Sequence, residues 1–229
     1  MTEAGPTLIE LPDLEQGSEE WHAQRRGIVT ASVVGQLITV KTLKPASNDV
    51  SRGLTRLLVA ERITGWTDPT YISDDMLRGI EDEPRARDLY SEHYAQVTET
   101  GFMIREDRDV RIGYSPDGLV GNDGLIEVKS RRQKKHLETI LSGHPPTENM
   151  AQMQCGLLVS GREWCDYISY CGGMPMWVHR VHPDRRWFDA ITAAVDIFEK
   201  NAAEMIHHYE ESVAGFPTTE RIIEMEMVI

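Results

Sequence analysis

Residues 109–130 read DVRIGYSPDGLVGNDGLIEVKS. Two strand-like segments, DVRIGYSPDGLVG with a turn at Ser115 to Gly118 and GLIEVKS after the turn signal Asn122-Asp123-Gly124, predict an antiparallel hairpin. Alternation along the second segment puts Glu127 and Lys129 on one face and Ile126 and Val128 on the other. Holding a Glu and a Lys in so apolar a strand is costly unless the charges are paired or bind a metal. Asp117 sits at the turn leaving the first strand, close enough to Glu127 for their carboxylates to repel. A divalent cation relieves that repulsion, and oxygen ligands from Asp, Glu and a backbone carbonyl, completed by water, suit Mg²⁺ or Mn²⁺. Such an ion polarises a phosphodiester and acidifies a bound water, while Lys129 would hold that water or offset transition-state charge. Glu83, upstream on a helix, is the third carboxylate and would allow a second ion.

Helical signals surround this hairpin. Ser18 caps a short helix in GSEEWHAQRRG that ends near Gly27, and a second helix begins around Thr30 or Ser32. KTLKPASND reads as a loop, after which Ser51 caps SRGLTRLLVAERITG, with Leu54, Leu57 and Leu58 on one face and a stop at Gly65. A helix over residues 76–96 contains Pro84, which predicts a break near Glu83. TENMAQMQCGLLVSG is helical, CDYISYC and MWVHRVH are strand-like, and a long amphipathic helix over about 187–210 follows. Its apolar stripe is Trp187, Ile191, Ala194, Val195, Phe198, Ala202, Met205, Ile206 and Tyr209. The order is α/β, a small mixed sheet flanked by helices, and with no linker or repeat the 229 residues are read as a single domain, 1–229.

Composition narrows the function. Hydrophobic residues make up 40% and charged residues 27%, which is ordinary for a globular chain, and no apolar run is long enough for a membrane span. The N-terminus lacks signal-peptide order, so a cytoplasmic protein with no membrane partner is expected. Three cysteines without CxxC spacing exclude a disulfide framework or a four-thiolate cluster in one chain, and the eight histidines lack zinc spacing. A net charge of −13 argues against non-specific coating of nucleic acid. The local exception is the run from Glu127 to His136, where Lys129, Arg131, Arg132, Lys134 and Lys135 face one acidic residue. That run would track a DNA backbone or stand as a solvated strand end.

Asp117 and, after nine intervening residues, Glu127-Val128-Lys129 match the signature of the PD-(D/E)xK nucleases. Three further strings, EEWHAQRRGIVTAS, RGIEDEPRARDLY and MAQMQCGLLVSG, resemble in order and spacing the lambda-type phage exonucleases, the viral recombinase or YqaJ group. The resemblance covers about residues 17–170. It implies the restriction-endonuclease-like core and a processive, Mg²⁺-dependent exonuclease, with Mn²⁺ as a substitute, that degrades one strand of linear duplex DNA from the 5′ end. The product is a 3′ single strand for recombination by annealing. It also implies a homotrimeric ring around the DNA, a single-strand annealing protein as partner, and a bacterial, phage or prophage origin.

Carried over residue by residue, the resemblance implies metal binding by Asp117, Glu127 and the Val128 carbonyl, with Glu83 supporting a second ion. Lys129 assists the attacking water and Gln152 reaches the scissile region. Arg25, Ser32 and Ser115 form the 5′-phosphate pocket, Trp21 packs behind Arg25 or against the DNA end, and Met76 or Leu77 is the wedge between strands. The pocket also has a chemical rationale, since a guanidinium fork, two hydroxyls and a helix N-terminus are all donors suited to phosphate. In a ring, basic residues need only line the bore, and an acidic exterior avoids other DNA. Two alternatives stay open: a structure- or site-specific endonuclease with the same metal site, and a non-catalytic DNA-end-binding recombination scaffold.

Overall fold

Local chemistry sets where the elements begin and end in the computed structural model, which describes residues 5–69, 71–108 and 110–221. In chain order these are β1 (Thr7–Leu11), α1 (Glu19–Arg25), β2 (Val29–Thr30), α2 (Ala31–Val34), β3 (Ile38–Thr39), β4 (Lys44–Pro45), α3 (Asp49–Thr64), α4 (Asp74–His93) and β5 (Val97–Thr98). Then follow β6 (Phe102–Asp107), β7 (Val110–Tyr114), β8 (Gly118–Val120), β9 (Gly124–Ser130), α5 (Gln133–Ser142), α6 (Thr147–Ser160), β10 (Trp164–Tyr170), β11 (Trp177–Val181) and α7 (Arg185–Ser212). Ser18 caps α1 by accepting the Trp21 N–H, with Glu19 and Glu20 in the first turn. Gly65 ends α3 in the left-handed conformation that L side chains disfavour. The cap of α3 is Asn48 rather than Ser51. Asn48 accepts the Ser51 N–H at 2.9 Å, and Ser51 answers from the third helical position by accepting the Asn48 N–H at 3.1 Å.

The strands form two mixed sheets, β1-β6-β7-β2 and β11-β10-β9-β8-β5, and a ribbon of β3 with β4. The stretch expected to make one hairpin is therefore divided. β7 pairs antiparallel with β6, while β8 alone makes the hairpin with β9. The chain leaves one sheet for the other across Ser115-Pro116-Asp117, because Pro116 has no N–H to continue a ladder. The KTLKPASND loop also contains β4, a two-residue strand.

Each face of β9 is covered by a different layer. Ile126 and Val128 pack with Ile168 against Ala86 and Tyr90 of α4. Leu125 faces the larger core built from α2, α3, α6 and α7, in which Trp187, Ile191, Ala194, Val195, Phe198 and Ala202 are buried. Met205 and Ile206 are partly buried, whereas Tyr209, expected in the same stripe, is 44% exposed where α7 extends past the sheets. Leu57 departs likewise, at 50% exposure on the outer side of α3.

No break occurs at Pro84, as α4 is continuous from Asp74 to His93. Pro84 and Ile80, whose carbonyl the missing N–H would have engaged, both lie on the exposed side, where water replaces the lost bond. The three cysteines are buried free thiols, and burial pushes Cys155 up to about 12. No helix among the described residues is long and apolar enough to cross a membrane. The C-terminal segment ERIIEMEMVI, read from sequence as a frayed tail, lies outside the described residues from 222 on.

Gly156 of α6 meets the buried Tyr114 ring, and a Cβ there would lie 2.7 Å from Tyr114 Cζ. In an exposed helix Gly→Ala stabilises by about 1 kcal/mol. Here the ring has no room to retreat, so Gly156→Ala should destabilise by about 1–3 kcal/mol in urea denaturation.

Candidate active site

The site forms where β8 stops. β8 pairs with β9 only from Gly118↔Ile126 to Val120↔Gly124, so the edge of β9 from Glu127 onward is open on that side. Asp117, just before β8, turns back to this edge, and its Oδ2 accepts the Val128 N–H at 2.6 Å. A strand residue sends its N–H and C=O to the same edge, so the Val128 carbonyl also projects towards the side where Asp117 stands. Glu127 and Lys129 emerge from the face that carries Leu125, as their alternation requires.

Glu127 is wholly buried. Its Oε1 lies 2.6 Å from Lys129 Nζ, a close ion pair whose geometry is not that of a directed hydrogen bond, and Oε2 has no partner among the described residues. Burial, then the charges of Glu127 and Glu83, push the Asp117 carboxyl well above its usual range, against Lys129 and the Val128 N–H. Burial also raises Glu83, which Arg87 opposes and Glu127 reinforces. Burial works against the Lys129 ammonium, yet Glu127 and Asp117 together hold it above the ordinary lysine range. Asp117 and Glu127, the latter with an orphaned oxygen, stand beside an outward carbonyl and together have the hard-oxygen chemistry a divalent cation satisfies. Among the described residues no three Asp, Glu, His or Cys side chains are grouped so as to hold a metal ion by themselves. Glu83 is held instead by Arg87, whose Nη2 donates to its Oε1 at 2.7 Å, and Arg87 also pairs with Glu99.

A second cluster begins two residues earlier. Ser115 Oγ accepts Trp21 Nε1–H at 3.0 Å and Arg25 Nη1–H at 3.3 Å. Arg25 Nη2 reaches Ser32 Oγ at 3.3 Å and Thr30 Oγ1 at 3.5 Å, and the two hydroxyls are 3.1 Å apart. The guanidinium lies over the Trp21 ring, 4.0 Å from its centroid, so Trp21 stands behind Arg25 and packs against Ile28, Phe102 and Ile104. Burial lowers Arg25 to about 10, opposed by Glu61, which leaves it fully charged at neutral pH. Ser115 and Asp117 are two residues apart, so their Cα atoms are separated by at most about 7 Å and the two clusters adjoin.

The structure thus brings together Asp117, Glu127 and Lys129, and separately Arg25, Ser32, Ser115 and Trp21, while Glu83 acts on Asp117 through its charge and is bonded to Arg87. Gln152 is half-buried on α6 and makes no side-chain hydrogen bond among the described residues. Met76 and Leu77 stand on the first turns of α4 with 47% and 51% exposure. The basic run is largely occupied within the chain. Arg131 ties Asn149 Oδ1 at 2.6 Å and the Tyr167 hydroxyl at 3.3 Å, so it braces α6 against β10. Arg132 pairs with Asp75 at 2.9 Å and Lys135 with Glu148 at 3.2 Å, while Lys134 is 89% exposed. Sequence reading missed three residues. Thr30 was read only as a helix start, Arg87 carried the signal of lying four residues after Glu83 on a helix, and Tyr114, whose buried hydroxyl has no partner among the described residues, carried none.

A carboxyl held above its unfolded value destabilises the fold once pH exceeds the ordinary carboxylate range near about 4, increasingly so until the raised value is passed. Asp117→Asn keeps an acceptor for the Val128 N–H and removes one of the repelling charges. In EDTA at pH 7–8 it should melt above wild type, by roughly 2–4 °C for each kcal/mol relieved. Adding Mg²⁺ should raise the wild-type Tm and move the variant little, as read by thermal denaturation.

Comparison with known families and structures places this geometry. The model of the YqaJ-like viral recombinase domain matches residues 20–163. Among solved structures, the alkaline exonuclease LHK-Exo of Laribacter hongkongensis is similar at 34% identity and a TM-score of 0.77, covering 87% of this chain and 100% of that one. The same enzyme in complex with dAMP is similar at 33% identity, a TM-score of 0.75 and the same coverage. A phage-related exonuclease from Haemophilus somnus 129PT shares the fold at 14% identity and a TM-score of 0.60, covering 80% of this chain and 96% of that one. No curated protein matches the chain.

Proposed function

Because the chain belongs to the YqaJ-like viral recombinase family, we propose that it is a metal-dependent exonuclease that degrades one strand of linear double-stranded DNA in the 5′-to-3′ direction from a 5′-phosphorylated end. The observation that carries this reading is the turn Ser115-Pro116-Asp117. One end of it belongs to a half-buried arginine-hydroxyl pocket suited to a phosphate, and the other to a carboxylate-lysine cluster suited to hydrolysis. An endonuclease has no need of an end pocket beside its carboxylates. The similarity to an exonuclease solved with dAMP supports a mononucleotide product.

Asp117, Glu127 and the Val128 carbonyl would hold Mg²⁺, or Mn²⁺ in its place, and Glu83 would support a second ion. When bound, such ions polarise the phosphodiester and lower the pKa of a coordinated water. The chain's own residues do the rest. Lys129, kept charged by Glu127 and Asp117, orients the attacking water through its N–H donors and offsets charge gathering on the phosphoryl oxygens. Arg25, with the Thr30, Ser32 and Ser115 hydroxyls, binds the terminal 5′-phosphate, so the next phosphodiester along the strand is the one presented to Asp117 and Glu127. Gln152 on α6 contacts the scissile region, and Met76 or Leu77 separates the strands.

On the same reading three copies form a ring around the duplex, which makes digestion processive and leaves a 3′ single strand for an annealing protein. A net charge of −13 argues against tight coating of DNA and is compatible with sliding along an enclosed duplex.

The test is digestion of a linear duplex labelled on one strand, with a 5′-phosphate or 5′-hydroxyl, beside a covalently closed circle. Mg²⁺-dependent loss of the 5′-phosphorylated strand with the circle spared is expected, and nicking of the circle would make it an endonuclease. Asp117→Ala should nearly abolish cleavage while retaining duplex binding, and Lys129→Ala should cost about 10²–10⁴-fold in rate. Arg25→Ala should reduce the preference for a 5′-phosphate roughly 10- to 150-fold.

A further inference from the structure

α1 carries Trp21 and Arg25 but has only seven residues and none of them buried. A helix so short has little stability of its own, so its direction depends on the packing of Trp21 and on the joint that follows it. The phosphate pocket spans the joint that follows it, since Arg25 lies before Gly27 while Thr30 and Ser32 lie after it on β2 and α2. The Gly27 joint therefore sets how the guanidinium meets the hydroxyls.

Gly27 is buried, has a φ of +68° and is gripped on both sides by consecutive residues of α3. Its N–H donates to Glu61 Oε2 at 2.8 Å, and its carbonyl accepts Arg62 Nε–H at 2.6 Å. Neither grip is loose. Glu61 is 7% exposed, and Arg62 is locked by a two-pronged pairing with Glu199 of α7, both contacts at 2.7 Å, with its guanidinium over the Phe198 ring. No side chain fits at the joint, because a Cβ on Gly27 would lie 2.4 Å from Arg62 Cγ and 3.2 Å from the Leu58 carbonyl. A glutamate bonded to a backbone N–H and a doubly paired arginine bonded to a backbone C=O are stiffer holds than exposed ion pairs.

We infer that Glu61 and Arg62 are positioning residues for the end-binding pocket: they fix the Gly27 joint, and through it the preference for a 5′-phosphate, without touching the DNA. The inference rests on the end-binding reading of Arg25.

The experiment measures kcat/KM on a linear duplex bearing a 5′-phosphate and on the same duplex bearing a 5′-hydroxyl, with Mg²⁺, for the full chain. Thermal melting is recorded for each variant. Glu61→Ala removes the acceptor and should lower the phosphate-to-hydroxyl ratio about tenfold, the scale of one charge-assisted hydrogen bond. Glu61→Gln keeps an acceptor for the Gly27 N–H and should hold the ratio within about twofold of wild type. A merely structural role would lower both substrates together with the Tm and leave the ratio alone. The inference is overturned by an unchanged ratio in folded Glu61→Ala, or by a loss in Glu61→Gln as large as in Glu61→Ala. Should Glu61→Ala not fold, Arg62→Lys decides on the same ratio, because it keeps the charge but loses the fork: a fall supports the clamp and no change overturns it. A wild-type enzyme that cleaves both ends equally well overturns the end-binding reading and the clamp with it, whereas discrimination that survives the variants overturns the clamp alone.

Discussion

The hydrogen bond from the Val128 N–H to Asp117 closes an edge that the sheet leaves open, and the rest of the site is arranged around it. Because β8 begins only at Gly118, β9 has backbone groups to satisfy beyond Ile126, and a carboxylate does so where a strand would otherwise have to. That choice puts a charge beside Glu127, which is wholly buried with an orphaned oxygen. Lys129 offsets part of the repulsion and Arg87 restrains Glu83, yet Asp117 and Glu83 remain above their usual carboxylate range. Asp117 and Glu127, with the charge of Glu83 acting on Asp117, thus hold a repulsion that the neighbouring cations offset only in part.

The Arg25 cluster has the opposite sign. Arg25 is half-buried against Trp21 with three hydroxyls about it and, among the described residues, no carboxylate directly paired to its fork, which is met by neutral oxygens. The two clusters adjoin because Ser115 and Asp117 stand on the same crossing between sheets. An acidic and a basic cluster on one turn are the arrangement on which the proposed cleavage from a phosphorylated end rests. The proline between them contributes by fixing its own φ.

Much of this was legible along the chain, and the exceptions have local reasons. Ser18, Gly65, the α6 segment and most of the α7 stripe behaved as their sequence chemistry predicts, since caps, left-handed stops and apolar periodicity act within a few residues. Pro84 failed as a helix breaker because it lies on the solvent side of α4, a matter of which face is exposed. The basic run looked uniform, but Asn149 and Tyr167 engage Arg131, and Asp75 engages Arg132. None of those partners is near them in sequence.

The amino-acid sequence by itself determined the strand that carries Glu127 and Lys129 on one face, the turn that carries Ser115 and Asp117, and the α/β order of elements. Each of these follows from short-range alternation, capping and turn chemistry. Only the tertiary structure decided that the 109–130 stretch would be shared between two sheets, that Thr30 would join Arg25, and that Gly27 would be gripped by Glu61 and Arg62, 34 and 35 residues away. Those contacts depend on which buried groups are left without partners once the layers pack, and no local pattern records that.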